Sequence, residues 1–140
     1  MIPVSKPKIF KQDIKNVSKS LRDGWISSDG PQVLKFENKF AKYIGKKYCI
    51  SVSSGTAALD IAIKCLNLKK NDEVIIPNFT IISNALAVLR QGAKPIFVDC
   101  GLNDWNIDLE DLKKKISKKT KAIIVTHIYS YSNHMEKIVK

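Results

Sequence analysis

The sequence predicts an α/β fold, an incomplete and mostly parallel sheet with helices on both faces. Two observations predict it. From position 48 onward, short runs rich in Val and Ile alternate with segments of helical periodicity about ten residues long. The apolar runs are continuous rather than alternating, which is typical of strands covered on both faces. Strands separated by helices in this way become parallel neighbours through right-handed crossovers.

The elements can be assigned in chain order. Apolar residues recur at helical spacing over residues 13–21 and 33–44, and Gly45 is expected to end the second helix. The predicted strands are YCISV (48–52), EVIIP (73–77), KPIFVD (94–99) and KAIIVTH (121–127). The predicted helices between them are TAALDIAIKCL (56–66), IISNALAVLRQG (81–92) and LEDLKKKIS (109–117), the last with Asp108 as its cap. We expect residues 1–46 to form N-terminal helices with a loop and residues 47–140 to form a partial α/β domain.

The length and the last segment point to part of a larger domain. A chain of 140 residues suits one core. The final residues, NHMEKIVK, have the spacing of a helix that has only begun. A parallel sheet of about four strands is small for this architecture. The sequence therefore resembles the first part of a longer domain.

The charge does not favour a nucleic-acid partner. The net charge is +11, but only Arg22 and Arg90 are arginines, and the lysines are spread along the whole chain. The densest lysine run, residues 113–121, has no interleaved aromatic residues, so we interpret it as a solvated surface.

Targeting signals and cysteines point to the cytoplasm. No apolar run approaches the roughly 20 residues of a membrane helix, and the N-terminus lacks the apolar core of a secretory signal. We therefore expect a cytoplasmic protein without a membrane partner. The three cysteines match neither a metal pair nor a disulfide framework, and we expect buried free thiols and no metal site.

The stretch SVSSGTAALDIAI (51–63) leads from an apolar run through small residues directly into a helix. Unpaired N–H groups and the dipole of a helix N-terminus favour an anion at this point. Gly55 permits close approach to the backbone, and Ser54 and Thr56 add hydroxyl groups. The alternative is an ordinary Ser or Thr helix cap, and the residues alone leave the two readings open.

At these residues the sequence resembles the DegT/DnrJ/EryC1/StrS family of sugar aminotransferases. The same resemblance extends to IPVSKPKI (2–9), GWISSDGPQVLKFENKFAKYIG (24–45), DEVIIPNFTIISNALAVLRQGAKPIFVDC (72–100) and NIDLEDLKKKISKKTKAIIVTHIY (106–129). It implies the N-terminal part of the large domain of a fold-type I enzyme that uses pyridoxal 5'-phosphate (PLP).

The resemblance implies which residues contact the cofactor and the substrate. The family's SGT turn holds the cofactor phosphate, which assigns Ser54, Gly55 and Thr56. The position against the pyridine ring, often aromatic in the family, is Ile81 here. The loop of Ser28, Asp29 and Gly30 is implied to lie near the substrate, with an ordinary turn as the alternative.

Several features depart from the family pattern. Where members usually have H-x-Y-G, this chain has His127, Ile128, Tyr129 and Ser130, so a serine replaces the glycine. We interpret His127 as structural rather than as an acid or base. The lysine that forms the Schiff base and the aspartate that pairs with the pyridine nitrogen have no counterpart in these 140 residues. We therefore assign no catalytic residue and expect the isolated chain to be inactive.

The resemblance implies an aminotransferase that aminates a nucleotide-linked keto-deoxysugar for surface polysaccharide or aminosugar biosynthesis. The amino donor is commonly glutamate, the N-terminal motifs favour a perosamine-synthase-like branch, and a homodimer is expected of the whole protein. Two alternatives stay open: a PLP-dependent sugar dehydratase of the same family, and a non-catalytic remnant or binding fragment.

Overall fold

The computed structural model describes residues 2–3 and 5–139 of the chain. These residues divide into two units, Met1–Ser51 and Val52–Lys140, and each unit is described by itself. Within the described ranges, every helix is too short or too polar to cross a membrane.

The first unit contains the two helices that the apolar spacing predicts. Helix α1 spans Lys11–Arg22 and helix α2 spans Pro31–Tyr43. Proline at the first helical position is favourable because its missing N–H has no intrahelical partner there. After α2, Gly45 takes a φ of +65°, a left-handed conformation that glycine adopts without strain and that ends the helix as predicted.

The second unit is built on a three-stranded parallel sheet. Strand β1 spans Glu73–Pro77, β2 spans Lys94–Val98 and β3 spans Thr120–Ile123, in the order β2-β1-β3. The helices are α3 (Gly55–Lys64), α4 (Ser83–Arg90), α5 (Leu109–Lys115) and α6 (Met135–Ile138), and a short 3-10 turn spans Ile128–Ser130. This order of elements confirms the predicted α/β fold.

Both faces of the sheet are covered by helices, as predicted. Side chains alternate along a strand, so Val74 and Ile76 face one side and Ile75 the other. Val74 and Ile76 pack in a cluster with α3 and α4, and Ile75 packs in a second cluster with α5. All three side chains are fully buried, which makes β1 the centre of the core.

The predicted strand at residues 48–52 is absent. These residues form no ladder with any strand among the described residues, so the described sheet has three strands rather than about four. The backbone N–H and the hydroxyl of Ser51 both donate to Glu37 Oε1, at 2.8 and 2.9 Å. The backbone donor that would pair with a neighbouring strand is therefore bonded to a side chain. A strand needs a neighbouring backbone, and here a side chain takes the donor.

The cysteines are free, but the prediction that they are buried is wrong. Cys65 is exposed on the last turn after α3, and Cys49 and Cys100 are half-buried. All three lie outside the helices and strands, and so not on an inward face of one of them, which accounts for this exposure.

The turn after β3 carries two strained residues. Tyr129 has φ +47° and ψ +34°, and Ser130 has φ +70°, so two consecutive residues with side chains lie in the left-handed region. Ser130 stands where the family resemblance implies glycine, which adopts this conformation without a Cβ clash. The replacement therefore strains the turn.

The start of α5 ties the end of β2 to the helix. Asp108 caps α5 as predicted, because its carboxylate accepts the N–H groups of Glu110 and Asp111 at 2.8 Å each. Asp111 in turn accepts the N–H of Asp99 at 2.8 Å and the ammonium of Lys115 at 2.7 Å. First the Asp99 N–H and then Lys115 hold the pKa of the Asp111 carboxyl below its ordinary value of 3.8.

Asp111→Asn is expected to reduce the loss of stability in acid. Because the pKa of Asp111 is lower in the folded chain than in the unfolded one, its carboxylate stabilises the fold above the unfolded-state pKa. That stabilisation disappears as the pH falls through the lowered folded-state pKa. Asparagine keeps an acceptor for the Asp99 N–H but does not titrate. Urea unfolding of both chains from about pH 5 to about pH 2 measures this, and parallel stability curves would contradict it.

Ser130→Gly is expected to stabilise the chain by about 0.5 to 1 kcal/mol. Removing the left-handed strain gains about 1 to 2 kcal/mol, and the greater freedom of glycine in the unfolded chain offsets about half of that. Ser130→Ala is the matched control, because alanine removes the hydroxyl but keeps the Cβ and the strain. Urea midpoints of the three chains decide it, and a Gly variant less stable than the Ala variant would show that the turn is unstrained.

Candidate cofactor-phosphate site

The turn at residues 54–56 begins helix α3. Ser54 is extended, with φ −163° and ψ 164°, and its Oγ accepts the N–H of Ala57 at 3.2 Å. Ser54 therefore caps helix α3, as one of the two interpretations of this turn expects. It uses only one of the N–H groups that a helix start leaves unpaired.

Two backbone donors of the first turn are still free for a ligand. Among the described residues, no protein acceptor is hydrogen-bonded to the N–H of Gly55 or of Thr56. Both groups lie at the positive end of the α3 dipole, where an anion is stabilised. Capping by Ser54 and anion binding are therefore compatible at this turn.

Gly55 leaves open space in front of this helix end. A Cβ placed on Gly55 would have no protein atom within 4 Å, and its φ lies outside the left-handed region. Neither packing nor backbone conformation therefore requires glycine here. The missing side chain does allow a ligand to approach the backbone closely.

A hydroxyl pair links this turn to the next helix of the sheet. Thr56 Oγ1 lies 3.0 Å from Ser83 Oγ, and Ser83 is a buried residue at the start of α4. Two hydroxyl groups that share one hydrogen bond keep one further O–H proton between them for a ligand. Sequence reasoning missed Ser83, although a small polar residue at a helix start was a signal for it.

Helix α3 is fixed on the core at several points. Ile63 and the half-buried Leu59 pack in the same cluster as residues of α4 and β1. On the surface, the guanidinium of Arg90 contacts both carboxylate oxygens of Asp60 at 2.9 Å. These contacts hold α3 in a fixed position relative to α4.

Ile81 lines a small cavity beyond the carboxyl ends of β1 and β3. The cavity has a volume of about 260 Å³, and Phe79, Thr80, Ile81, Ile128 and Tyr129 line it. Ile81 is well exposed, so its aliphatic side chain is available to a ligand. The crevice beyond the carboxyl ends of parallel strands is the usual ligand position in such folds.

A polar network supports one wall of this cavity. Thr80 Oγ1 lies 2.9 Å from Thr126 Oγ1, and the buried Asn84 amide donates to both hydroxyls, at 2.8 and 3.2 Å. This network joins the segment after β1 to the segment after β3. Sequence reasoning missed it because Thr126 is separated from Thr80 and Asn84 by more than forty positions in the chain.

His127 makes a structural contact. Its Nδ1 accepts the backbone N–H of Asn133 at 3.1 Å, which places the proton of the neutral imidazole on Nε2. His127 is not among the residues that line the cavity. The geometry fits the structural role expected of it.

The predicted substrate residues lie in the first unit, in the loop between α1 and α2. Gly30 is buried as the cap of α2, and a Cβ there would lie 3.4 Å from Trp25 Cβ. Ser28 and Asp29 are exposed. Among the described residues, no cluster of His, Cys, Asp and Glu could bind a metal ion.

Comparison with known proteins identifies a family whose sequences match this chain. A model of the DegT/DnrJ/EryC1/StrS aminotransferase family matches residues 7–140. The chain is 41% identical to a GDP-perosamine synthase of Escherichia coli O157:H7, over 99% of this chain and 38% of that protein. It thus spans little more than a third of this relative.

Solved structures agree with the sequence comparison. The PLP form of the sugar aminotransferase Spr1654 from Streptococcus pneumoniae has a TM-score of 0.90 and 30% identity, over 99% of this chain and 35% of that one. The E. coli GDP-4-keto-6-deoxy-D-mannose-3-dehydratase with hydrated PLP has a TM-score of 0.89 and 31% identity, over 97% and 36%. With its sequence matched from residue 7 to residue 140, the chain belongs to the DegT/DnrJ/EryC1/StrS aminotransferase family.

Proposed function

We propose that this chain provides the cofactor-phosphate segment of a PLP-dependent aminotransferase that aminates a nucleotide-linked keto-deoxysugar. The observation that carries the proposal is the helix start at α3. There the N–H groups of Gly55 and Thr56 have no protein acceptor among the described residues, and the space at Gly55 is open. A doubly charged phosphate monoester fits such a helix end.

Two groups of residues in the second unit would hold the two parts of the cofactor. Gly55 and Thr56 supply backbone donors for the phosphate, and the Thr56 and Ser83 hydroxyls supply a further O–H. The cavity next to Ile81 has mostly apolar walls, as a planar pyridine ring requires. When bound, PLP supplies an electron sink and a carrier for the amino group.

The chain's own contribution is binding and orientation. The start of α3, tied to α4 by the Thr56–Ser83 hydroxyl pair, would hold the phosphate end of the cofactor, and the cavity walls would orient its ring. The lysine and aspartate that the resemblance implies for chemistry have no counterpart in these 140 residues. We therefore propose no proton transfer by a residue of this chain.

The substrate assignment follows the relatives. The name of the 41% identical relative is GDP-perosamine synthase, which supports a nucleotide-linked sugar as the substrate. We propose a keto-deoxysugar as the acceptor and glutamate as the amino donor, as the family resemblance implies. Ser28, Asp29 and Gly30 are the proposed substrate contacts. A sugar dehydratase is the second candidate, because the E. coli dehydratase matches nearly the whole chain. The free cysteines agree with a cytoplasmic location.

Exposed apolar faces in the first unit support a homodimer of the whole protein. On α1, the side chains of Ile14, Val17 and Leu21 share one face and are 59%, 61% and 60% exposed. Phe36 and Phe40 on α2 are also substantially exposed. Contiguous apolar faces of this kind are usually covered by a partner, and we propose a second copy.

Binding of pyridoxamine 5'-phosphate (PMP) to the 140-residue chain tests the phosphate site. PMP carries an amine in place of the aldehyde, so it cannot react with the many surface lysines. Gly55→Glu is expected to weaken PMP binding roughly tenfold or more, because a carboxylate would repel the phosphate at the helix end. The fold itself should be retained, since an acidic side chain in the first helical turn is stabilising. Equilibrium dialysis measures the affinity.

Gln32→Glu is the matched control for this test. It places the same charge in the first turn of α2, a helix that contributes no residue to the proposed phosphate site, and should leave PMP affinity within about twofold. A wild-type chain that does not bind PMP would contradict the proposed site, and so would equal weakening by both variants.

A further inference from the structure

We propose that Tyr129 provides the aromatic face against which the pyridine ring of the cofactor lies. The proposal rests on the function proposed above and adds a second contact residue to the ring site. In this chain the family's often aromatic position is Ile81, whose side chain has no π-face. The same cavity is also lined by a tyrosine, Tyr129.

The cavity has two walls from different parts of the sheet. Phe79, Thr80 and Ile81 follow β1, and Ile128 and Tyr129 follow its neighbour β3. A flat ring in this cavity would have both Ile81 and Tyr129 among its neighbours. The volume of about 260 Å³ suits one aromatic ring and is below the roughly 300 Å³ at which pockets for larger ligands begin.

Of the two aromatic residues in the cavity wall, Tyr129 is the one free to receive a ligand. The Phe79 ring already packs against Trp105, with ring centroids 5.3 Å apart and an angle of 49° between the planes. Tyr129 is 80% exposed, compared with 39% for Phe79. Its face is therefore available for offset stacking, the geometry that aromatic pairs prefer.

The backbone around Tyr129 is held in a costly conformation. Tyr129 has a left-handed φ of +47°, which persists only where surrounding contacts fix it. The buried Asn133 supplies those contacts. Its amide donates to Thr126 O at 2.8 Å and to Asn106 Oδ1 at 3.0 Å, and its backbone N–H donates to His127 Nδ1 at 3.1 Å.

These hydrogen bonds fix both ends of the turn that contains Tyr129. Thr126 and His127 precede the turn and Asn133 follows it, so hydrogen bonds between its two ends hold the turn closed. The strained residue is therefore one whose side chain lines the cavity. Because this side chain is exposed, it does not contribute to the packing of the core. A contact between Tyr129 and the pyridine ring would explain why the left-handed conformation is kept.

The test compares PMP affinity of the 140-residue chain with that of Tyr129→Leu, Tyr129→Phe and Ile81→Ala. Leucine keeps a similar bulk and a side chain at the strained φ, so backbone cost is matched. Loss of the aromatic face is expected to weaken PMP binding roughly 3- to 10-fold in Tyr129→Leu. Tyr129→Phe should bind within about twofold of wild type, and Ile81→Ala should lose less than Tyr129→Leu.

A ring-free phosphate ester separates the ring contact from the phosphate contact. Glycerol 3-phosphate should bind equally to wild type and Tyr129→Leu, because it meets only the α3 helix end. If wild type binds neither PMP nor glycerol 3-phosphate, the proposed phosphate site fails. If wild type binds PMP and Tyr129→Leu binds it equally well, or if both ligands weaken together, the Tyr129 assignment is overturned and the phosphate site stands.

Discussion

Burial of β1 on both faces is the constraint on which the rest of the second unit depends. Val74 and Ile76 can be buried only if helices cover one face, and Ile75 only if a helix covers the other. Parallel crossovers then bring the carboxyl ends of β1 and β3 to one edge of the sheet. The small cavity next to Ile81 lies at that edge because the core is arranged in this way.

Polar cross-links complete this edge where the apolar core ends. The Thr56–Ser83 hydroxyl pair ties the start of α3 to the start of α4, and Asn84 bridges the segments that follow β1 and β3 through two threonines. Each bond joins residues from different elements, so the edge is rigid without being apolar. Rigid polar groups beside an open helix end are suited to holding a charged, flat cofactor.

The features of the fold and of the site that the sequence could predict are those with a local pattern. The apolar run of β1, the Asp108 cap and the small-residue turn before α3 are each readable within a few positions. Residues 48–52 were predicted as a strand from their apolar composition. Composition does not reveal whether a neighbouring strand is available for pairing, because pairing depends on residues distant in the chain. The pairing of Ser83 with Thr56 could not be predicted because the two residues are distant in the chain, although the position of Ser83 at a helix start was a local signal. The left-handed φ of Tyr129 leaves no pattern in the sequence.

The central claim is that free main-chain donors at the start of α3 bind the phosphate of a pyridoxal-type cofactor. Backbone amide chemical shifts of the 15N-labelled chain, recorded with PMP and with phosphate-free pyridoxamine, test it most directly. We expect PMP to cause large shifts of the Gly55 and Thr56 amide signals that pyridoxamine does not reproduce. Unmoved Gly55 and Thr56 signals in a chain saturated with PMP would contradict it.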